Sequence, residues 1–173
     1  MTSQDRLGKV ERDGGRTTIR FTRSLAHPPE KVWQALTESE HMRYWMPGDL
    51  VGSKEKGATL QVVFWHDLVK AKGIEPDGGT ATIEVWDPPR TFEWIWNATR
   101  IRFEINPTSG GSTLQLTVGI GTDDPDLVID AAGGFHLWLE HLANLLDTGS
   151  SIPLAAANPE PIEARYRAQV EKR

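Results

Sequence analysis

The segment DLVIDAAGGFHLWLEHLANLLD, residues 126–147, decides the fold of this chain. Its apolar residues recur at the spacing of one face of an α-helix. These residues are Phe135, Trp138, Leu139, Leu142, Leu145 and Leu146. The segment therefore predicts a helix from about Asp126 to Asp147, ended by Gly149. A single long helix of this kind is suited to covering the apolar face of a sheet.

The segments before this helix alternate apolar and polar residues, which is the pattern of half-buried strands. The predicted strands are residues 17–25, 59–65, 80–86, 91–96, 100–106 and 113–119. Turns such as Asp87-Pro88-Pro89-Arg90 and Gly110-Gly111 are too short for parallel crossovers, so we expect an antiparallel meander. Residues 66–73 fit either a turn with a short strand or an irregular loop.

Two short helices are predicted between the first strand and the others. Pro28-Pro29 suits the first turn of a helix, and a second short helix ends at Pro47-Gly48. The order predicts an α+β fold, with a curved antiparallel sheet wrapped around a long C-terminal helix. One helix cannot fill the concave side of a large twisted sheet, so we expect an apolar pocket between them.

The composition is that of a globular domain and narrows the classes of partner. Of the 173 residues, 38% are hydrophobic and 25% are charged, which suits one domain with a sizeable core. The net charge is −5 with scattered Lys and Arg, so we expect no nucleic-acid binding. The absence of cysteine excludes disulfides and thiolate chemistry.

No apolar run reaches the length of a membrane span, and Met1–Arg6 lacks the apolar core of a secretory signal. We expect a cytoplasmic protein, and a homodimer is an open alternative to a monomer. Residues 1–149 are predicted to form the domain. Residues 150–173 are predicted to form a linker and a short helical tail, because residues 150–161 are rich in Ala, Pro and Ser.

Aromatic and apolar residues on neighbouring predicted strands are candidates for the pocket wall, and the alternation places Phe92, Trp94, Phe103 and Leu116 on its inner face. Tyr44 and Trp45 follow the second short helix and are candidates for the mouth of the pocket, but the core explains Trp45 better, while Tyr44 stays open. His66, followed by Asp67, could line the mouth, but an ordinary turn explains it better.

His136 and Glu140 are four residues apart on the long helix and share a face. If that face looks into the pocket, Glu140 could orient His136 for acid–base chemistry. A solvated face with one helical pair is the favoured interpretation. No metal-ligand spacing joins them to His66, so we predict no metal, no cofactor and no assigned catalytic residue.

Three stretches together resemble one known family: HPPEKVWQALT at 27–37 continuing to RYWMP at 43–47, WDPPRTF at 86–92, and AAGGFHLWLEHL at 131–142. They are similar to the activator of heat-shock-protein ATPase homologue family, within the START-like (SRPBCC, helix-grip) superfamily. The resemblance spans about Thr17 to Gly149, with Phe135 where many relatives carry Trp. It implies a sheet gripping the long helix over a hydrophobic cavity that binds lipids, sterols, polyketides or plant hormones in other members.

Three functional hypotheses follow, and the first is favoured. The domain is a binding module for a small hydrophobic molecule, lipid-like or aromatic, held in the pocket without covalent catalysis. Alternatively, it is a cyclase- or dehydratase-like enzyme that uses His136 or Glu140. The third alternative is a protein-interaction module that activates a chaperone ATPase, as the family's name suggests, although fold does not fix function.

Overall fold

The computed structural model describes residues 6–172. This part of the chain contains eight strands: β1 (Lys9–Asp13), β2 (Arg16–Leu25), β3 (Gly48–Val51), β4 (Thr59–Phe64), β5 (Asp77–Asp87), β6 (Thr91–Trp96), β7 (Thr99–Thr108) and β8 (Gly111–Ile120). The same residues contain five α-helices: α1 (Pro29–Thr37), α2 (Ser39–Met42), α3 (His66–Lys72), α4 (Pro125–Thr148) and α5 (Glu160–Val170). A single 3₁₀ turn, Leu154–Ala156, lies between α4 and α5.

All eight strands join one antiparallel sheet in the order β1-β2-β8-β7-β6-β5-β4-β3. Neighbours in the sheet are neighbours in the chain except for β2 and β8, because α1 and α2 carry the chain from β2 across to β3. The predicted α+β class and antiparallel meander are confirmed. None of the helices within residues 6–172 is both long and apolar enough to cross a membrane.

The inner face of the sheet carries rows of large apolar side chains. One row runs across four strands as Phe21, Leu116, Phe103 and Phe92, which are register partners in turn and are fully or almost fully buried. Trp94 pairs with Ile101 in the adjacent row. The rows follow from the two-residue period of a strand, which sends alternate side chains to the same face.

Helix α4 begins and ends where its sequence predicts. The Asp124 side chain accepts hydrogen bonds from the backbone N–H groups of Asp126 (3.1 Å) and Leu127 (3.2 Å), and Gly149 ends the helix in a left-handed conformation with φ 80°. The buried stripe of α4 includes Trp138, Leu139, Leu142 and Leu145. This stripe faces the domain core, as the 3.6-residue period predicts.

Gly133 allows α5 to approach α4 closely. A Cβ atom at Gly133 would lie 2.8 Å from Cγ of Glu163, so the small residue makes room for the tail helix. Ile162, Tyr166 and Val170 of α5 are buried. The residues predicted as a linker and tail therefore pack on the domain, although the predicted boundary at residue 149 does coincide with the end of α4.

Helix α3 and strand β3 differ from the sequence-based expectation. Residues 66–72 form α3, with Asp67 in its first turn, Lys70 and Lys72 in its last turn, and Gly73 as a left-handed C-cap. These charges suit the helix dipole, but seven residues are too few for a clear helical period. The short strand β3 was not predicted, since its four residues, beginning at Gly48, give almost no alternation to detect.

Candidate functional site

The space between α4 and the sheet holds a cluster of aromatic rings. The rings of Phe92 and Trp94 are stacked with centroids 4.4 Å apart, and Trp94 and Phe103 are stacked at 5.9 Å. Trp45 meets Phe103 edge-on at 5.8 Å and Trp138 of α4 at 5.5 Å. We call these five residues the aromatic cluster. It links the inner face of the sheet directly to α4.

Trp94 differs from Trp45, Trp65 and Trp96 in its indole N–H. The indole nitrogens of Trp45, Trp65 and Trp96 each donate to a backbone carbonyl at 2.8 Å. Nε1 of Trp94 is buried and has no hydrogen-bond partner among residues 6–172. A buried donor without an acceptor costs roughly 1–3 kcal/mol, so the Trp94 indole would be stabilised by an acceptor atom placed beside it.

Five of the nine predicted site residues lie together in this region. Trp45, Phe92, Trp94 and Phe103 belong to the aromatic cluster, and Leu116 is the register partner of Phe103. All five are fully buried, and none of them lines the surface recesses described below. Their rings fill the region by mutual contact in this structure, so their assignment as ligand contacts stays a prediction.

The cluster approaches the surface at Trp138. This residue also lines a small recess of about 180 Å³ between α3, α4 and α5, together with Leu68 and Leu137. The ring of Phe135 contacts the Trp138 ring edge-on at 4.6 Å. Trp138 therefore connects the buried rings to the solvent side of α4. The sequence pattern of α4 did not distinguish Trp138 from the other apolar residues of its stripe.

Tyr44 and His66 lie away from the cluster. Tyr44 lines a recess of about 560 Å³ formed by α1, α2 and the end of α4, where Lys31 and Leu146 are also found. His66 is exposed at the first position of α3. The predicted roles of Tyr44 and His66 at a pocket mouth stay predictions, and the structure does not bring these two residues to the aromatic cluster.

His136 is the centre of a buried hydrogen-bond chain. The Tyr166 hydroxyl accepts from the backbone N–H of Gly8 at 2.7 Å and lies 3.0 Å from His136 Nδ1. The hydroxyl can donate its own proton to Nδ1, which is the pairing that a neutral imidazole with its proton on Nε2 would make.

The favoured prediction of a solvated face is wrong for His136, which is only 5% exposed. The prediction failed because α5 covers this part of α4. The sequence did not reveal that α5 packs there. Burial and the positive charges of Arg23, Arg165 and Arg6 lower the pKa of His136 to about 4. Burial also raises the pKa of Tyr166 to about 12, so both groups are neutral at pH 7.

Glu140 stands at the solvent edge of this chain. Its carboxylate is 3.7 Å from His136 Nε2 and 3.6 Å from a guanidinium nitrogen of Arg6, and the side chain is partly exposed. The predicted pairing of His136 with Glu140 is therefore present as a long contact. The two residues face the N-terminal segment and α5, not the aromatic cluster.

Arg23 is the site residue that sequence analysis missed. It lies on the inner face of β2 and is only 7% exposed. One guanidinium nitrogen donates to the carbonyl of Thr22, while Nε and Nη2 have no hydrogen-bond partner among the described residues. The signal was present in the sequence, because the alternation that places Ile19 and Phe21 inward also places residue 23 inward.

A recess of about 380 Å³ opens beside His136. Its polar lining consists of Arg6, His136, Glu140, Asn158 and Arg165, and its apolar lining consists of Leu137, Pro161 and Ile162. We call it the arginine recess. Arg23 does not line it but acts electrostatically on His136, Glu140 and Tyr166.

Among residues 6–172, one group of side chains has donor atoms close enough for a metal ion. The ligand atoms of Glu38, Glu40 and His41 lie within 4.8 Å of one another. Both glutamates are exposed, and exposed acidic groups of this kind are common in proteins that bind no metal. The cluster therefore supports no metal assignment.

Comparison with known proteins gives a family and a set of similar folds. The profile of the family described as "Activator of Hsp90 ATPase homolog 1-like protein" matches residues 26–147, more than half of the chain. No curated protein matches the sequence significantly.

Three solved structures illustrate the similarity. A conserved protein of unknown function from Enterococcus faecalis is 15% identical with a TM-score of 0.75, over 95% of this chain and 91% of that one. CalU16 from Micromonospora echinospora is 15% identical with a TM-score of 0.65, over 95% and 94% of the two chains. DynU16, a protein in the dynemicin biosynthetic locus, is 19% identical with a TM-score of 0.60, over 79% of this chain and 49% of that one. At these identities the similarity is one of fold.

Proposed function

This chain belongs to the Activator of Hsp90 ATPase homolog 1-like family, and from that membership we propose that it binds a small, mostly apolar molecule between its sheet and α4. The ligand-binding character of the fold supports binding as the general function. The position of the site and the apolar nature of the ligand are our proposal. Phe92, Trp94, Phe103, Leu116 and Trp45 would contact the ligand.

The buried indole N–H of Trp94 carries the proposal. It is a hydrogen-bond donor without an acceptor, surrounded by stacked rings. A flat, apolar molecule with one acceptor atom would satisfy this donor while its body replaced ring–ring contacts with ligand–ring contacts. Such an arrangement favours an apolar molecule over water. The single polar atom in the apolar surroundings fixes the orientation of the ligand without requiring that the ligand be polar.

Access to the cluster is proposed to occur at Trp138. This ring contacts Trp45 on one side and lines the recess beside α3 on the other. Rotation of the Trp138 side chain, with Phe135 moving alongside it, would join that recess to the buried rings. Side-chain rotation of this kind leaves the strands and α4 in place, which suits a pocket on a rigid scaffold.

Binding is favoured over catalysis by the properties of His136. The enzyme hypothesis uses His136 or Glu140 as the acid–base group, yet a pKa of about 4 makes the imidazole a weak base at neutral pH. Both residues also face the arginine recess instead of the aromatic cluster. The chaperone-activator hypothesis has no specific support, since a shared fold does not carry an activity from one protein to another.

A dye titration tests the proposal. Prodan is a neutral naphthyl ketone whose carbonyl can accept from Trp94 and whose fluorescence reports transfer to an apolar site. We expect saturable binding to the full chain, weakened about tenfold in Trp94→Phe because one hydrogen bond is lost. Trp96→Phe is the matched control, since it removes an indole on the same strand whose N–H is already bonded to Gly78.

Native mass spectrometry of gently purified protein complements the titration. It would reveal a retained small molecule and would also report the subunit count, which tests the open alternative of a homodimer. Absence of any retained molecule together with absence of saturable prodan binding would contradict the proposed function. Equal loss in Trp94→Phe and Trp96→Phe would contradict the role given to the Trp94 donor.

A further inference from the structure

The recess of about 560 Å³ that Tyr44 lines, where α1 and α2 meet the end of α4, carries charges of both signs. We call it the Tyr44 recess. Two cations and two carboxylates line it, and they are Lys31, Arg43, Glu40 and Asp147. Its volume lies within the range of small-molecule pockets, about 300–1,000 Å³. The recess therefore has the size and the polar groups to hold a small charged molecule.

The four charges do not neutralise one another. Among residues 6–172, no ion pair within 4 Å joins Lys31, Arg43 or Glu40 to a group of opposite charge. The guanidinium carbon of Arg43 lies 5.9 Å from the centre of the Tyr44 ring. This cation–π contact uses none of the N–H groups of Arg43, so they are available to an anionic group.

Lys31 is held in place by groups that leave its charge uncompensated. Its ammonium donates to the carbonyl of Leu146 at 2.9 Å and lies 3.1 Å from Nδ1 of His27. Since an ammonium can only donate, Nδ1 accepts, and Nε2 of His27 donates to Asp147 at 2.7 Å. This is the pairing of a neutral imidazole, so Lys31 and Asp147 both keep their charges. The third N–H of Lys31 has no partner among the described residues.

Glu40 has a neighbour of the same charge. Ligand atoms of Glu38, Glu40 and His41 lie within 4.8 Å of one another, and both glutamates are exposed. Two carboxylates at this separation repel each other. A positively charged group placed beside Glu40 would relieve that repulsion and would pair with a carboxylate that has no cation of its own.

The arrangement of charges restricts what can occupy the recess. An anion drawn to the two cations is repelled by the two carboxylates, and a cation meets the reverse arrangement. A molecule that carries both charges complements the recess, because each of its ends finds an unpaired partner. Ala35, Leu145 and Leu146 add apolar surface to the lining, which suits a ligand with an apolar body.

We propose that the Tyr44 recess binds a zwitterionic amino acid with an apolar side chain. Arg43 and Lys31 receive its carboxylate, and Glu40 receives its ammonium group. Its side chain lies against the Tyr44 ring and Leu145. This site is separate from the aromatic cluster, and the proposal does not depend on the function proposed for that cluster.

NMR signals of the tyrosine rings report binding in the recess. The chain has two tyrosines, and Tyr166 is fully buried, so selective ¹³C labelling gives Tyr44 as the reporter and Tyr166 as an internal reference. The probes are L-phenylalanine, 3-phenylpropanoate without the ammonium group, 2-phenylethylamine without the carboxylate, and glycine without the apolar side chain. We expect phenylalanine to bind with a dissociation constant near or below about 1 mM, and at least about tenfold more tightly than each of the other probes.

Two substitutions assign each charge of the ligand to its partner. Arg43→Met is expected to weaken phenylalanine binding about fivefold without weakening 2-phenylethylamine, which has no carboxylate to lose a partner. Glu40→Gln is expected to weaken phenylalanine binding about fivefold without weakening 3-phenylpropanoate, which has no ammonium group. Arg90→Met and Glu55→Gln are the matched controls, since both residues are exposed and lie outside the recess.

Urea unfolding checks that the variants fold as wild type does, which we expect because Arg43 and Glu40 are exposed. A Tyr44 signal that phenylalanine leaves in place would overturn the proposal, and so would any of the other three probes binding as tightly as phenylalanine. Unchanged phenylalanine affinity in Arg43→Met or in Glu40→Gln would equally contradict it. If a variant fails to fold, the comparison of the four probes on the wild-type chain decides the ligand class.

Discussion

Lowering the pH from about 6.5 to about 4 is expected to remove about 3 kcal/mol of unfolding free energy through His136 alone. The folded-state pKa of His136 is lowered to about 4 from an ordinary value of 6.5, chiefly by burial. Between these two pH values His136 binds a proton in the unfolded chain but stays neutral in the folded chain. The stabilisation is therefore fully present above pH 6.5 and is lost as the pH falls.

Urea unfolding at a series of pH values measures this effect. Other groups also titrate in the range, so the informative quantity is the difference between wild type and His136→Asn. The Asn side-chain oxygen can take the place of Nδ1 and accept from Tyr166, but it cannot bind a proton. We expect a flatter dependence of stability on pH in the variant, and an unchanged slope would refute the buried, neutral imidazole.

Replacing Tyr166 by Ala is expected to destabilise the protein by about 4 kcal/mol, the largest single effect that we predict. The side chain is fully buried, and its ring packs edge-on against His136 with centroids 5.8 Å apart. Its hydroxyl also satisfies the backbone N–H of Gly8. The substitution removes the side chain that joins α5 to α4 and to the residue before β1.

Tyr166→Phe separates the contribution of the ring to stability from the contribution of the hydroxyl. The ring is kept, but the Gly8 N–H and the His136 nitrogen lose their partner, so a loss of about 2 kcal/mol is expected. Tyr44→Phe serves as the control, since Tyr44 is only partly buried and lies at a different recess. If Tyr166→Ala unfolds within about 1 kcal/mol of wild type, the tail helix is not part of the cooperative unit.

The long helix and the sheet were predictable because each gives a repeated signal. Helix α4 spans 24 residues, so its apolar period recurs over more than six turns. The strands β6, β7 and β8 alternate over six to ten residues. By contrast, α3 and β3 are short, and their patterns fit several conformations equally well.

The site was less predictable because it depends on contacts between distant parts of the chain. His136 became a buried residue only through Tyr166, which lies 30 positions away, and through Gly8, which lies still further away. Trp94 could be placed on the inner face by alternation, but its unpaired N–H could not be foreseen. Whether an indole finds an acceptor depends on which carbonyls the fold brings near it.

Arg23 shows the opposite case, in which the pattern was present but was not used. The same two-residue period that placed Ile19 and Phe21 inward placed this arginine among apolar residues. A charged residue on a buried face conflicts with the local hydrophobic pattern. Such conflicts are expected mainly at functional or strained sites.

The indole N–H signals in an NMR titration with prodan test the binding of a small molecule at the aromatic cluster most directly. The chain has seven tryptophans, and Trp94→Phe identifies the signal of Trp94 by its disappearance. If prodan accepts a hydrogen bond from the Trp94 indole, the Trp94 signal shifts more than the other indole signals. All of the shifts then saturate over the same range of prodan concentration. A Trp94 signal that stays in place at saturating prodan would contradict the proposed site.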